Sequence, residues 1–248
     1  MRRLEGKYGI ITGASRGLGQ ALALRFAHEN AAGLVLVSRN SGDLARVTEQ
    51  IQTESPATRL LPISADLSRE SELERMIAMT FHTFEGRLDF LVNNASAIGP
   101  VPLPLLVDYP VEDFRFVLET NLVAPFLLIQ KVLPAMIENG GSVINVTSDA
   151  GIHGYPNWGA YGISKFGLEG LSQTWSAELH GTGVRVNWVD PGNLNTEMHR
   201  DAEPEEDPSQ WADPSEVTEV FVYLASDESR DTHGQRFQAQ EEFWGQTA

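Results

Sequence analysis

A doubly wound parallel α/β sheet with helices on both faces is the fold class the sequence predicts, on three observations. Short apolar runs alternate with segments of helical periodicity from one end of the chain to the other. A glycine-rich turn joins the first of these runs to the first helical segment. No internal repeat and no shift of composition divides the 248 residues, so they read as one domain, 1–248, near the upper end of the single-domain range.

The first run, Tyr8-Gly-Ile-Ile-Thr12, reads as a short buried strand. Gly13-Ala-Ser-Arg-Gly17-Leu-Gly19 follows, and Ala21, Leu22, Leu24, Phe26 and Ala27 then carry a helical pattern. Strand, glycine turn and helix open a Rossmann-type, dinucleotide-binding βαβ unit. Glycines let the backbone pass close to a pyrophosphate, and the helix N-terminus offers unpaired N–H groups. The spacing is G-x-x-x-G-x-G and not the commoner G-x-G-x-x-G. Gly13, Ser15, Arg16, Gly17, Leu18 and Gly19 are therefore the candidates to hold a nucleotide.

Leu34-Val-Leu-Val37 is the second strand, with Ser38-Arg39 at its exit. An acid about 20 residues past the glycines would bind the ribose hydroxyls of NAD. Arg39 stands there instead, no acid follows before Asp43, and Arg16 lies inside the glycine loop. Two guanidiniums suit a 2′-phosphate, each charge-assisted contact being worth about 1.5 to 3 kcal/mol. NADP(H) is expected in preference to NAD(H).

The third strand, Leu60 to Ala65, ends at Asp66-Leu67, where Asp66 is placed to accept from an adenine amino group, to cap the next helix, or both. A helix over 71–84 and a fourth strand over 88–92 lead to Asn93-Asn-Ala95, a turn expected to support the nucleotide crevice. A long apolar helix follows over 111–136, interrupted by Pro125 and carrying Asn121 in its middle. A buried helical asparagine is poorly favoured unless its amide, or a distorted helix around it, has a partner. The fifth strand, 141–146, runs into Thr147-Ser148; a helix spans 159–180; the sixth strand, 184–189, leaves through Asp190-Pro-Gly-Asn-Leu-Asn-Thr196. The acidic, proline-broken segment 197–213 is expected to be a mobile loop over the substrate. A helix over 214–225 and a short strand over 236–239 complete a sheet of about seven strands.

Tyr161 and Lys165 lie four apart on the 159–180 helix and so project from one face in successive turns. An ammonium beside the phenol favours its ionised form and makes Tyr161 a candidate acid/base. The chain holds three lysines against fifteen arginines, so a lysine here is not what the composition supplies by default. Arginine lacks the compact point charge for this task.

Composition narrows the function further. Zero cysteines removes disulfides, thiolate nucleophiles and cysteine-ligated metals, and six scattered histidines offer no zinc spacing. No apolar run approaches the roughly 20 residues of a membrane span, and no signal-peptide core follows Met1. A cytoplasmic protein with no membrane partner is expected. The formal charge of −16 disfavours nucleic acid, and it is concentrated at the end of the chain: from Asp201 onward thirteen carboxylates face two arginines.

Taken together these residues resemble the short-chain dehydrogenase/reductase family over nearly the whole chain. Thr12 to Gly19 is similar to its TGxxxGxG loop, Asn93-Asn-Ala95 to its NNAG with Ser96 in place of the glycine, and Tyr161 to Lys165 to its YxxxK. Ser148, thirteen residues before Tyr161, resembles its catalytic serine, Asn121 its active-site asparagine, and Pro191-Gly192 with Thr196 the motif that contacts the nicotinamide amide. The tail from Gly234 to Trp244 departs from the family's apolar strand and DGG ending. The resemblance implies hydride transfer between the nicotinamide and a carbonyl carbon. Tyr161 would move the proton, Lys165 would bind the nicotinamide ribose and lower the phenol pKa, Ser148 would hold the substrate oxygen, and Asn121 would hold a water in the proton relay; Asn94 would join the cofactor residues. It also implies a homodimer or homotetramer, for which Phe126-Leu-Leu-Ile129 and Trp175 are candidate contacts, a buried core explaining them equally well.

Substrate in such a sheet lies past the carboxyl ends of the strands. Ile98, Ile152, His153, Tyr155, Trp158, Leu194 and Met198, with Trp211, are the candidate walls. They suit a hydrophobic or aromatic ketone, aldehyde or secondary alcohol. Two other readings stand beside this one: a 3-oxoacyl carrier-protein reductase, for which the acidic surface is unsuited, and a catalytically silent NADP(H)-binding sensor or scaffold.

Overall fold

The computed structural model describes residues 2–241; Glu242, Phe243 and Trp244 of the atypical tail lie outside the described residues. Seven strands form one parallel sheet: β1 (Tyr8–Thr12), β2 (Gly33–Ser38), β3 (Arg59–Ser64), β4 (Phe90–Asn93), β5 (Gly141–Val146), β6 (Val184–Asp190) and β7 (Arg236–Gln238). Their order is β3-β2-β1-β4-β5-β6-β7. The winding direction reverses between β1 and β4, so the loops leaving these two strands diverge and open a crevice above the carboxyl edge.

Successive strand residues point to opposite faces, and both faces are covered. Ile11, Leu34, Leu36, Val92 and Ile144 pack in one core with α1 (Gly17–His28), α2 (Ser41–Glu54) and α8 (Glu219–Ala225). Ile10, Val35, Val37, Leu91, Val143 and Val186 pack in a second with α3 (Glu70–Thr83) and α5 (Ala124–Asn139). This is why the strands read as unbroken apolar runs. α6 (Gly159–Glu178) lies beside α5, with Trp175 against the second core and its ring stacked on Phe126.

The structure departs from the expected elements in three places. The helical run 111–139 is not interrupted at Pro125. Instead α4 (Val111–Leu118) passes into one π-helical turn, Glu119–Val123, and then into α5. Pro125 sits in the first turn of α5, directly after the π turn, so its missing N–H falls where the helical hydrogen-bond register shifts. By length and composition this run is apolar enough to cross a membrane, contrary to expectation. Its inner stripe of Leu128, Ile129, Val132 and Met136 is buried in the sheet's second core, which accounts for that apolarity. The helix expected over 214–225 divides at Thr218: a 3-10 turn, Pro214–Val217, with an Asp213–Glu216 capping box precedes α8. Finally, the segment 197–213 contains α7 (Glu197–Ala202) and a 3-10 turn, Pro208–Gln210, and is tied back by a bridge between Leu194 and Ala212.

Candidate active site

A cleft of about 1240 Å³ runs along the carboxyl edge of the sheet and is walled by the exits of β1 to β6 and by α7. It exceeds the range of about 300 to 1,000 Å³ usual for small-ligand pockets, which suits a dinucleotide together with a substrate. Its nucleotide end is built by the glycine turn. Gly13 has φ +68°, a conformation that favours glycine. A Cβ on Gly19 would lie 2.1 Å from the Gly13 carbonyl oxygen, so the start of α1 can close on the loop only without a side chain. Thr12 Oγ1 accepts from the N–H groups of Asn94 (2.9 Å) and Ala95 (3.0 Å), and Asn94 Nδ2 donates to Thr12 O at 2.8 Å. Asn94 thus fixes the exits of β1 and β4 to each other while lining the cleft.

Gly13, Ser15, Arg16, Gly17, Leu18, Gly19, Arg39, Asp66, Leu67 and Asn94 all line this end, as do Pro191, Gly192 and Thr196 further along. The two guanidiniums are engaged differently. Arg16 pairs with Glu197 at the start of α7, and Arg39 lies over the Phe116 ring, 5.5 Å from its centroid. The Ser15 and Ser38 hydroxyls lie 2.7 Å apart in the same lining. Ser38, which in the sequence reads only as part of the exit from the second strand, is the last residue of β2 and a further polar contributor here. Asp66 neither caps α3 nor stands free: Oδ1 accepts from Ser68 N (3.1 Å) and Ser68 Oγ (2.8 Å), and the residue preceding α3 is Arg69.

At the reaction end Ser148, Tyr161 and Lys165 line the cleft together. Ser148 leaves β5 and caps a 3-10 turn, Asp149–Gly151; its Oγ donates to Asp149 Oδ1 at 2.9 Å. Lys165 is buried, donates to Val146 O at 2.8 Å, and lies 5.4 Å from the Tyr161 ring centroid. Burial lowers its pKa to about 8, with Asp190 and Glu169 opposing the shift. The Tyr161 phenol is pushed up and not down. Loss of hydration outweighs the Ser148 hydrogen bond that pulls the other way, and the Asp190 and Asp149 carboxylates add to the rise. In the protein by itself Lys165 is not among the groups that move this phenol.

Asn121 does not line the cleft. It is 1% exposed in the π turn, Oδ1 accepts from Ala97 N at 2.7 Å, and Nδ2 donates to Ala97 O and Ser164 Oγ, each at 2.9 Å. Its side chain pins the loop after β4 to α6 and has no free N–H for a water. Ile152 and His153 also fall outside the cleft. Their N–H groups both bond to Asp149 O, which turns this stretch outward, and Ile152 is exposed. Ile98, Tyr155, Trp158, Leu194 and Met198 do line it, and Leu194 is at the same time part of the sheet core. Trp211 is buried beneath the wall, stacked on His199 at 4.1 Å between centroids. Burial lowers the His199 pKa.

The residue reading missed how acidic this end is. Asp149, Glu203 and Glu206 line it, held by neutral donors: Tyr155 Oη to Asp149 (2.9 Å), Trp158 Nε1 to Glu203 (3.1 Å) and Trp211 Nε1 to Glu206 (3.2 Å). The charge was visible in the sequence, but not that it folds against the aromatic residues.

A doubly wound sheet with a glycine loop at the point where its winding reverses, and a serine, tyrosine and lysine in the same cleft, define an oxidoreductase of the dinucleotide-binding class. The sequence profile of the short chain dehydrogenase family matches residues 7–207. The chain belongs to that family and is an oxidoreductase acting on CH–OH groups. It is 35% identical over 244 residues to the 3-oxoacyl-acyl-carrier-protein reductase FabG of Thermotoga maritima, covering 94% of this chain and 96% of the relative. A Pseudomonas syringae structure assigned as a short chain dehydrogenase superposes with TM-score 0.91 at 37% identity, covering 96% of each chain. A Shigella flexneri short chain dehydrogenase solved in complex with NADP superposes with TM-score 0.89 at 29% identity, over 97% of this chain and 99% of that one.

Proposed function

We propose that the protein interconverts a ketone or aldehyde and its alcohol with NADP(H) as the redox partner, Tyr161 acting as the acid/base. The observation that carries this reading is that Ser148, Tyr161 and Lys165 share one cleft with the glycine loop and with Arg16 and Arg39. The glycine loop, Asn94, Pro191, Gly192 and Thr196 would hold the dinucleotide, Arg16, Arg39 and the Ser15 and Ser38 hydroxyls its 2′-phosphate, and Lys165 its nicotinamide ribose. When bound, the cofactor supplies or accepts the hydride.

The chain's own part is the proton and the alignment. Ser148 Oγ, turning its one hydrogen from Asp149 Oδ1, donates to the substrate oxygen and keeps it against Tyr161. A phenol whose pKa is raised is protonated at neutral pH, so in the reducing direction Tyr161 donates its proton to the oxygen as negative charge develops there. Asn121 supports this from behind the wall by fixing Ser164, one residue before Lys165, to the loop that carries Ile98. Segment 197–213 serves as the mobile cover of the substrate end, and the enzyme works in the cytoplasm as a homo-oligomer.

Asp149, Glu203 and Glu206 favour a neutral or positively charged carbonyl compound, with Tyr155, Trp158 and Met198 for its apolar part. A 3-oxoacyl carrier-protein reductase is the second reading. The Thermotoga maritima relative favours it, whereas the acidic rim opposes docking of an acidic carrier. A panel of neutral, cationic and acetoacetyl-thioester carbonyls, each run with NADPH and NADH and followed by nicotinamide absorbance, tests both. NADPH-dependent reduction of the first two groups is expected. Preferred turnover of the thioester would establish the second reading, and silence with stoichiometric NADPH binding would favour a sensor. Tyr161→Phe should remove at least 99% of kcat while leaving NADPH affinity within about threefold; an active Tyr161→Phe enzyme would refute the role.

A further inference from the structure

We propose that Arg236 is a positioning residue of the reaction centre: its guanidinium ties together the segments that present Ser148, Lys165 and the Pro191-Gly192 turn, and occupies two buried carboxylates that would otherwise claim the Lys165 ammonium. Arg236 opens β7, beyond the stretch matched by the family profile and at the point where the tail departs from the apolar strand the resemblance implies. Its Nε donates to Glu169 Oε1 at 3.0 Å, and Nη2 donates to Asp190 Oδ2 at 2.9 Å and to Ser148 O at 3.2 Å. Glu169 lies one turn past Lys165 on α6 and is 5% exposed; Asp190 ends β6 and is 6% exposed.

Each carboxylate has a second task in the site. Glu169 Oε1 also accepts from Thr147 Oγ1 at 2.7 Å, fixing the residue before Ser148. Asp190 Oδ1 accepts from Gly192 N at 2.9 Å, fixing the turn expected to meet the nicotinamide. One planar fork therefore sets the relative position of the β5 exit, α6 and the β6 exit, which a lysine's single point charge could not do.

The charges balance only when Arg236 is counted. Two buried carboxylates face two buried or half-buried cations, and Lys165 Nζ, not drawn into an ion pair, bonds to Val146 O beside the cleft. Asp149, from the turn after β5, also acts on Tyr161, and Tyr155, His199, Arg200, Glu203 and Glu206 are the further ionisable groups lining this end of the cleft. Without Arg236, Glu169 and Asp190 are left unpaired and act in full on Lys165, which favours its ammonium and pulls it from the cleft.

The inference rests on the oxidoreductase reading for its kinetic arm but has a readout that needs no substrate. With three lysines in the chain, ¹³C-lysine NMR resolves Lys165, assigned by its loss in Lys165→Met. In the nucleotide-free protein its titration, near pH 8 in the parent, is expected to move up by about one unit or more in Arg236→Met. In Arg236→Lys, which keeps the charge, it is expected to stay within about half a unit. kcat for carbonyl reduction is expected to fall at least tenfold in Arg236→Met and at least threefold in Arg236→Lys, with KM changing less than threefold in both. A folded Arg236→Met whose Lys165 titration is unmoved overturns the proposal, as does a wild-type kcat in Arg236→Lys, the variant that decides if Arg236→Met does not fold. If the parent turned over no carbonyl the oxidoreductase reading would fail, and the lysine titration alone would still decide the role of Arg236.

Discussion

Tyr161 and Lys165 are both pushed by burial toward their neutral forms, the phenol upward and the amine downward. Neither is set by the other, and the i, i+4 spacing that marks the pair in the sequence does not carry that information. The lysine consequence is measurable. Lys165 is protonated below about pH 8 and loses its charge above it. If its ammonium holds the nicotinamide ribose, cofactor affinity should be full below about pH 7 and fall about tenfold as pH rises through the lysine's titration, by the worth of one charge-assisted hydrogen bond. Fluorescence titration with NADPH across that range checks this, and Lys165→Met should show no such step. The chemistry-bearing residues were legible because their types are rare and their spacing fixed. Asp149, Asp190, Glu169 and Arg236 were not, because nothing in the sequence says which of many charges fold inward. Asn121 was legible as a buried polar residue needing partners; that the partners are Ala97 and Ser164, and that they consume its amide, depends on a π turn no periodicity announces.

At the scale of elements, β1, the glycine turn and α1 are read almost without error because steric rules leave few alternatives. Gly9→Ala shows how tight the first strand is: the added Cβ would stand 1.9 Å from the Phe90 ring, itself edge-on to Phe26. With no room to move on either side, the substitution should destabilise the protein by about 3 kcal/mol, the upper end of overpacking costs, read as a lower urea midpoint at unchanged m. The 197–213 segment was harder to read, since proline and acidic residues mark a loop but not the helix turn that Thr196 caps. Glu197 of that turn competes for Arg16 with any phosphate bound at the glycine loop. Both side chains are well exposed, so the pair is worth no more than about 1 kcal/mol. Glu197→Gln should accordingly tighten NADPH binding about two- to fivefold at low salt, with little change for NADH and with the gain vanishing as salt is raised. An equal gain for both cofactors would mean that Arg16 meets the pyrophosphate and not the 2′-phosphate.

On the scale of the whole molecule, alternation of strands and helices requires a parallel sheet with right-handed crossovers, which is why about seven strands and one domain could be anticipated from pattern alone, whereas the order of the strands could not. The outer surface follows no such rule. Of the apolar run Phe126–Ile129, Leu128 and Ile129 are buried in the core, while Phe126 remains 37% exposed and stacks on Trp175. On the neighbouring α6, Ile163 and Phe166 are 42% and 48% exposed, and the α4 approach adds Val107 and Val111. A chain carrying −16 repels its own copies at long range. Apolar residues left outward on adjacent helices are then the means by which copies would associate, and screening should favour it. The protein is expected to elute as a dimer or tetramer by light scattering, with the oligomer strengthened between low and physiological salt. Phe166→Glu places a charge in that face and should yield a folded monomer with an unchanged melting profile at low concentration. If the parent were monomeric at all salt concentrations, the exposed stripe would have to be explained by something other than self-association.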